Sequence, residues 1–217
     1  MNTIQELRKE YELHGLDRAE LYDNPMQQFD VWFRDAIRHT PGKWYEPNAM
    51  TLSTSESGIV TSRTVLLKDY DEVQFVFFTD YGSEKGRQLE SNPRASLLFH
   101  WHFLGRQIRI VGRVEKTTRE ISAEYFHKRP RGAQLSAYVS AQSCALESRE
   151  HLQHLRTELE QKLAGDQVPL PDDWGGYSLQ PDRLEFWQGR RDRAHDRFQY
   201  TRSDEGTGGW VIVRLAP

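Results

Sequence analysis

Strand-forming segments fill the middle of the chain, and their order limits the fold more than any other feature. They are rich in β-branched and aromatic residues, and turn residues such as Ser57-Gly58 separate them. The predicted strands cover residues 49–54, 59–68, 73–79, 94–102, 107–116, 177–188, 195–202 and 209–215. Because strands and helices do not alternate regularly, the order favours an antiparallel barrel with helices outside it. The expected fold class is therefore mainly β with peripheral helices (α+β).

Helical patterns flank these strands. Asn24-Pro25 forms a helix start, with Asn as N-cap and Pro in the first position, and apolar residues follow at helical spacing to about residue 39. Ser83 to Ser91 and a segment capped by Thr117 or Thr118 read as two more helices. A leucine stripe at 152–163 predicts an amphipathic helix that ends at Gly165.

Three connecting segments complete the organisation of the chain. Residues 1–23 are expected to form an N-terminal arm or short helix, and 168–176 to form a loop. The sequence SDEGTGG before the last strand predicts a hairpin loop. We interpret residues 1–217 as one domain, whose C-terminal strands lie within 170–217.

Composition excludes several classes of protein. With 37% hydrophobic and 28% charged residues the chain can bury a core, and its net charge of −3 gives no basic excess that would favour nucleic acid. The single cysteine, Cys144, rules out an internal disulfide and a thiolate zinc cluster. No apolar run is long enough to span a bilayer, and the first residues lack a signal-peptide core, so we expect a cytoplasmic protein without a membrane partner.

Nucleotide and hydrolase motifs are missing. The sequence has no GxGxxG after a strand, no GxxxxGK[ST] and no GxSxG, so any flavin must be held in another way. His100 and His102 have a spacing that suits metal binding on a strand, but no third ligand stands out, and ordinary packing is the favoured interpretation. We predict no metal site.

Two basic segments suggest anion binding near the middle of the chain. Arg63 and Lys68 stand at the two ends of an apolar strand, and strand alternation places them on opposite faces; charges in solvent are the alternative. In FTDYGSEK, a glycine turn leads into a helix with Lys85 in its first turn. Because lysine there opposes the helix dipole, a bound anion explains it better than helix stability does, although a routine turn is equally possible.

Two further clusters have similar chemistry. Tyr125 and Arg129, four residues apart on a predicted helix, form either a phosphate clamp or a surface pair. If residues 193–198 are extended, Arg193, His195 and Arg197 project from one face. Three potential cations side by side repel one another, so an anion or an electron-rich ring is expected against them; a solvated charged strand is the alternative.

Together these segments resemble the pyridoxine/pyridoxamine 5′-phosphate oxidase family over nearly the whole chain. Each motif is modest alone, but their shared order is specific. The motifs are LRKEY at 7–11, RTVLLK, FTDYGSEK, NPRASLLFHWHFLGRQ, EYFHKRPRGAQL, AQS at 141–143, WGGY, EFWQGRRDRAHDRF and the terminal RLAP.

The resemblance implies an FMN-binding split β-barrel homodimer with a site shared between the two chains. Its flavin contacts, by matching position, are Arg63, Thr64, Val65, Leu66, Leu67, Lys68, Phe78, Thr79, Lys85, Gln107, Gln142, Ser143, Trp187 and Arg197. Its substrate contacts are Arg8, Lys9, Glu10, Tyr11, Lys68, Tyr125, Arg129, Arg193 and His195, the last two also being the catalytic candidates. The implied reaction oxidises pyridoxine or pyridoxamine 5′-phosphate to pyridoxal 5′-phosphate, with dioxygen reduced to hydrogen peroxide.

Three positions depart from the family pattern. Glu84 stands where a second cation is common near the FMN phosphate, Ala133 replaces a serine that contacts the substrate phosphate, and Phe78 replaces a tyrosine. Two alternatives stay open, and Glu84 and Ala133 bear on the second of them. One is a phenazine-biosynthesis-type FMN oxidase on the same barrel, and the other is a flavin- or pyridoxal-phosphate-binding protein without turnover.

Overall fold

A computed structural model describes residues 15–203 and 209–217. Nine strands form one antiparallel sheet that curls into a half-barrel, with the helices outside it. In chain order the elements are α1 (Pro25–Arg38), β1 (Ala49–Glu56), β2 (Ile59–Leu66), β3 (Asp69–Tyr70), β4 (Phe75–Asp80), α2 (Glu84–Ser91), β5 (Arg94–Trp101), β6 (Arg106–Lys116), α3 (Arg119–Lys128), α4 (Arg131–Val139), α5 (Arg149–Leu163), β7 (Trp174–Gln188), β8 (Asp196–Arg202) and β9 (Trp210–Leu215).

The long strand β7 organises the sheet. The strand order is β2-β1-β5-β6-β7-β4-β3, and β8 pairs with both β7 and β9. The first part of β7 pairs with β4, so that Phe78 lies opposite Gly176, and its last part pairs with β8, so that Trp187 lies opposite Arg197. One strand therefore connects two distant regions of the molecule.

Helix α1 closes one side of the half-barrel with aromatic side chains. The Asn24 side chain accepts a hydrogen bond from the Met26 backbone N–H, which caps the helix as the sequence predicts. Phe29 is fully buried, and its ring centroid lies 4.8 Å from that of Phe75 and 5.3 Å from that of Phe99. Burial of a phenylalanine of this kind contributes about 1.5–3 kcal/mol, so α1 is an integral part of the core.

The sequence prediction of a mainly β fold is confirmed, and the main differences lie in short elements. Asp69–Tyr70, which falls between the predicted strands 59–68 and 73–79, pairs with β4 as β3. Helix α4 was not predicted, because Pro130 and Gly132 at its start resemble loop residues. Strand β7 begins at Trp174, inside the predicted loop 168–176.

Helix α5 carries the leucine stripe, but none of its residues is fully buried. Leu159 and Leu163 pack at the edge of a small second core formed by Phe126, Leu135, Val168 and Trp174. The left-handed residue at the helix end is Ala164, one position before the predicted stop at Gly165. The stripe therefore fastens α5 to α3 and α4, while the main core lies elsewhere.

The predicted N-terminal helix at 4–14 and most of the hairpin loop SDEGTGG lie outside the described residues. Within 15–203 and 209–217, no helix is long and apolar enough to cross a membrane.

Candidate functional site

A cavity of about 460 Å³ opens between β2, β4, and helices α2, α3 and α4. We call it the basic cavity, because four of the side chains lining it are cationic. It is lined by Arg63, Thr64, Val65, Leu66, Lys68, Phe78, Thr79, Asp80, Lys85, Tyr125, Arg129, Ser136, Ala137, Ser140, Gln142 and Trp174. Most of the residues predicted to contact ligands from β2, β4, α2 and α3 thus meet in one place.

Strand β2 supplies one wall, with two corrections to the predictions. The strand ends at Leu66, and the Lys68 backbone N–H then bonds to the Val76 carbonyl, so strand alternation does not reach Lys68. Arg63 and Lys68, predicted on opposite faces, therefore line the same cavity. The Leu67 side chain does not face the cavity, because it is buried in the main core at 4% exposure.

Lys85 lies at the floor of the cavity, nearly buried in the first turn of α2. Its Nζ donates to Gln142 Oε1 at 2.6 Å, to Thr79 Oγ1 at 3.1 Å and to Ser83 Oγ at 3.3 Å. Burial lowers the pKa of Lys85 and the nearby Arg63 lowers it further, whereas Asp80 and Glu84 partly oppose this shift. Three neutral acceptors thus hold an ammonium group in a place where its charge is costly.

Arg63 is held by the protein itself. Its guanidinium donates to Thr54 Oγ1, to Thr61 Oγ1 at 2.6 Å and to Gln88 Oε1 at 3.2 Å. Glu84 is one of the three residues that depart from the family pattern. Its Oε2 lies 3.7 Å from Nη2 of Arg63, and its side chain is half exposed. Glu84 therefore offsets part of the positive charge at this end of the cavity.

Stacked aromatic rings support Arg129 and Tyr125. Phe78 stacks on Tyr125 with centroids 4.0 Å apart and on Trp174 with centroids 5.6 Å apart, and the Arg129 guanidinium lies 4.9 Å above the Trp174 ring. Arg129 follows α3 as its C-cap with an extended backbone, so its predicted place on the helical face is wrong. Its Nη1 is buried without a hydrogen-bond partner among the described residues, and burial lowers the pKa of Arg129.

A second group of predicted residues lies at the other end of β7. Gln107 on β6, Trp187 on β7 and Arg197 on β8 are direct cross-strand neighbours, so the three side chains share one face of the sheet. We call these three residues, together with Arg193 and His195, the C-terminal patch. None of the five lines the basic cavity.

The segment before β8 differs from the extended strand that the sequence suggested. Arg191–Arg193 forms a 3-10 turn, and Asp192 and Arg193 both have positive φ, at 55° and 60°. The backbone N–H of Arg190 donates to Nδ1 of His195, whose ring centroid lies 4.6 Å from that of Trp187. Burial lowers the pKa of His195, and Arg193 adds to the effect, whereas Asp196 opposes it. The premise that placed Arg193, His195 and Arg197 on one strand face is wrong.

The two groups are far apart within one chain. Gly176, which lies opposite Phe78, precedes Trp187 by 11 positions along β7, which corresponds to at most roughly 35 Å at the usual strand rise. Ser143, next to Gln142, is exposed with φ 70° and does not line the cavity. Arg8, Lys9, Glu10 and Tyr11 lie outside the described residues.

Several cavity residues had no assigned role in the sequence analysis. Ser136, Ala137 and Ser140 come from α4 or its end, and this helix was missed. Trp174 stands in the quoted WGGY motif, but nothing in the sequence indicated that it would lie under Arg129. Within the described ranges no three His, Cys, Asp or Glu side chains are grouped so as to hold a metal ion.

Comparison with known proteins assigns the chain to a family. Residues 36–163 match the family model described as pyridoxamine 5′-phosphate oxidase, and 174–217 match a pyridoxine 5′-phosphate oxidase C-terminal dimerisation region. The chain belongs to the pyridoxine/pyridoxamine 5′-phosphate oxidase family. Curated members include one from Rhodopirellula baltica, 48% identical over 99% of this chain and 97% of that one, and one from Paraburkholderia phytofirmans, 50% identical over the full length of both.

Solved structures agree with this family assignment. PhzG from Burkholderia lata, solved with tetrahydrophenazine-1-carboxylic acid, has a TM-score of 0.86 and 28% identity, covering 95% of this chain and all of that one. A pyridoxamine 5′-phosphate oxidase-related, FMN-binding protein from Nostoc punctiforme has a TM-score of 0.68 at 15% identity, covering 91% and 99% of the two chains, and supports the fold alone. The predicted split β-barrel is thus confirmed, and the match at 174–217 supports a homodimer.

Proposed function

We propose that this chain is an FMN-dependent oxidase that converts pyridoxamine or pyridoxine 5′-phosphate into pyridoxal 5′-phosphate, with dioxygen as the electron acceptor. The observation that carries the proposal is the basic cavity. There Arg129 and Lys85 are buried to a degree that lowers the pKa of each, and neither forms an ion pair with a carboxylate of the described residues. A phosphorylated ligand would neutralise them.

The residues present suit a flavin phosphate and a flavin ring. Lys85, Thr79, Gln142 and Arg63 would hold the FMN phosphate end, together with the backbone of residues 64–67 and with Ser143. Gln107, Trp187 and Arg197 would contact the flavin from a second copy of the chain, because they are too distant along β7 to reach the same cavity. The site is therefore proposed to form between two subunits.

The chemistry that FMN supplies when bound is acceptance of a hydride equivalent from the substrate C4′ carbon, after which dioxygen is reduced to hydrogen peroxide. The protein binds and orients the substrate. Lys68, Tyr125 and Arg129 anchor its phosphate, and Arg193 covers the exposed face of its pyridine ring. Arg8, Lys9, Glu10 and Tyr11 are proposed to contact the substrate.

His195 is proposed to donate a hydrogen bond to the substrate ring. Its Nδ1 accepts the backbone N–H of Arg190, so the neutral ring carries its proton on Nε2. A ring in that tautomer donates from Nε2, and its lowered pKa keeps it neutral near pH 7. His195 could orient the substrate ring or accept a proton from the substrate, and the Arg190 contact at Nδ1 favours orientation.

Anaerobic mixing of the FMN-loaded protein with pyridoxamine 5′-phosphate tests the proposal. We expect the yellow flavin absorbance to bleach, and to return with hydrogen peroxide when air is admitted. Protein that binds FMN but neither bleaches nor makes peroxide would support the non-catalytic alternative. Protein that takes up no FMN would contradict the proposal outright.

The similarity to PhzG favours one second candidate, an FMN oxidase that acts on a phenazine precursor. The phosphate group separates the two candidates, because Lys68, Tyr125 and Arg129 have a clear ligand only in a phosphorylated substrate. We expect pyridoxamine without its phosphate to be a much poorer substrate than pyridoxamine 5′-phosphate. Equal rates with both compounds, or turnover of tetrahydrophenazine-1-carboxylic acid alone, would favour the second candidate.

A further inference from the structure

Glu185 is a buried carboxylate in the middle of the face that bears the C-terminal patch. It lies on β7 two residues before Trp187, and its side chain is 4% exposed. Direct cross-strand pairing places Arg109 of β6 on one side of it and Gln199 of β8 on the other. A carboxylate so far out of water is costly unless cations pair with it, and a purely structural sheet face is more often apolar.

Each carboxylate oxygen of Glu185 accepts a hydrogen bond from an arginine. Oε1 accepts from Nε of Arg197 at 2.8 Å, and Oε2 accepts from Nη2 of Arg109. Arg109 is 44% exposed and has no assigned role, whereas Arg197 is 26% exposed and is proposed to contact the flavin. The two arginines thus share one negative charge.

The hydrogen bonds of Arg197 leave one side of its guanidinium group available. Nε is held by Glu185, and Nη1 donates to the Ala216 carbonyl at 2.8 Å. Within 15–203 and 209–217, Nη2 donates no hydrogen bond. Because the guanidinium group is planar, fixing two of its nitrogens also fixes the direction in which the third points.

We infer that Glu185 is a positioning residue, which holds Arg197 in the orientation in which Nη2 meets the flavin. The inference rests on the proposed function for its ligand. Loss of the Glu185 charge would leave Arg109 and Arg197 next to each other without compensation, and their repulsion would turn Arg197 away. Glu185 would therefore act on flavin binding through Arg197 without touching the flavin.

Titration of the apo protein with FMN, followed by quenching of flavin fluorescence, tests the inference in four variants. We expect Glu185→Gln to raise the FMN dissociation constant roughly tenfold, as loss of a hydrogen bond to a charged group does. Arg109→Ala is the matched control, because it breaks the other contact of the same carboxylate; we expect less than about a twofold change. Arg197→Ala measures how much the FMN dissociation constant rises when the guanidinium group itself is lost.

The double variant Glu185→Gln/Arg197→Ala separates positioning from general damage to the fold. If Glu185 acts through Arg197, the double variant binds FMN as weakly as Arg197→Ala alone and no more weakly. Additive losses, or an unchanged dissociation constant in Glu185→Gln, would overturn the role of Glu185. Glu185→Asp keeps the charge on a shorter side chain and replaces Glu185→Gln in this cycle if the latter does not fold.

The titration of the wild-type protein distinguishes a failure of the proposed function from a failure of the positioning role of Glu185. Wild-type protein that takes up no FMN would overturn the proposed function, and with it the ligand of Arg197. Wild-type protein that binds FMN, combined with a Glu185→Gln variant that binds it equally well, would overturn the positioning role alone.

Discussion

The basic cavity and the C-terminal patch both contain arginines that we propose to contact a ligand, but the charges of these arginines are compensated differently. In the cavity, Arg129 lies over the Trp174 ring and Lys85 is held by neutral acceptors; no carboxylate in the described part of the chain pairs with either. In the patch, Arg197 pairs with the buried Glu185. A buried cation without a carboxylate partner can bind an anionic ligand. A cation that pairs with a buried carboxylate instead has the orientation of its side chain fixed by that contact.

The difference has a consequence for stability. Burial that lowers the pKa of Lys85 and Arg129 makes their charged forms costly in the absence of ligand, so the cavity is expected to weaken the apo fold. Near the patch, Glu185 offsets one of the two positive charges of Arg109 and Arg197 within the protein, so a smaller cost remains for a ligand to offset. The following experiments test this contrast, beginning with the largest expected effect.

Arg129→Ala removes the cation of the substrate phosphate clamp. We expect KM for pyridoxamine 5′-phosphate to rise roughly 100-fold, because a desolvated ionic hydrogen bond is lost, while flavin content stays unchanged. Steady-state peroxide release and the flavin-to-protein absorbance ratio measure the two quantities. Lys128→Ala is the control, since its exposed side chain pairs with Glu124 outside the cavity. A KM that changes equally in both variants would refute the clamp.

Lys85→Met tests whether the buried ammonium group lowers the stability of the apo protein while it strengthens FMN binding. We expect the FMN dissociation constant to rise roughly 50-fold, because the charged contact to the phosphate is lost. The melting temperature of the apo protein should stay the same or rise, because an ammonium group with a lowered pKa is replaced by an apolar chain. In contrast, Glu185→Gln should lower the apo melting temperature, because it leaves two arginines uncompensated. If both variants melt below the wild type by the same amount, the contrast between the two regions is wrong.

Arg193→Ala is expected to lower turnover more than flavin content. Arg193 follows Asp192 in a turn with two consecutive positive φ values, a costly backbone conformation that fixes where the side chain begins. Loss of the group that covers the pyridine ring should lower kcat roughly tenfold at saturating FMN. Arg191→Ala, an exposed neighbour in the same turn, serves as the control. Near-normal turnover of Arg193→Ala with full flavin occupancy would contradict the assignment.

The sequence predicts the strands well because their patterns are local. The β-branched and aromatic runs and the Asn24 cap place most strands and α1 within about two residues of their observed bounds. Helix α4 was missed, because Pro130 and Gly132 locally indicate a loop and tertiary contacts with α5 override them. The turn at Arg191–Arg193 was also missed, since nothing in RRDRAH signals two consecutive left-handed residues.

Site composition was predicted better than site geometry. Most of the motif residues on β2, β4, α2 and α3 meet at the basic cavity, whereas those of the C-terminal patch lie at the other end of β7. The sequence does not show which carboxylates, if any, pair with the cations of each group. The stacking of Phe78, Tyr125 and Trp174 brings together β4, α3 and β7, which are distant along the chain. Likewise, only the structure shows that Glu185 accepts hydrogen bonds from both Arg109 on β6 and Arg197 on β8.

The smallest expected effect concerns His195. Because its pKa is lowered, the stability of the folded protein depends on pH. Because the folded state binds its proton less readily than the unfolded state, the neutral ring contributes stability above the ordinary pKa near 6.5, and this contribution is lost as pH falls through the lowered value. Protonation would also place an N–H on Nδ1 against the Arg190 N–H.

Melting temperatures of the apo protein between pH 8 and pH 5 measure this contribution. Wild type should lose more stability over that interval than His195→Gln, whereas His154→Gln, which alters an exposed histidine on α5, should follow the wild type. Parallel curves for wild type and His195→Gln would show that His195 is not held neutral by the fold. In that case acceptance of a proton by His195, the role that the Arg190 contact disfavours, would again be the better interpretation.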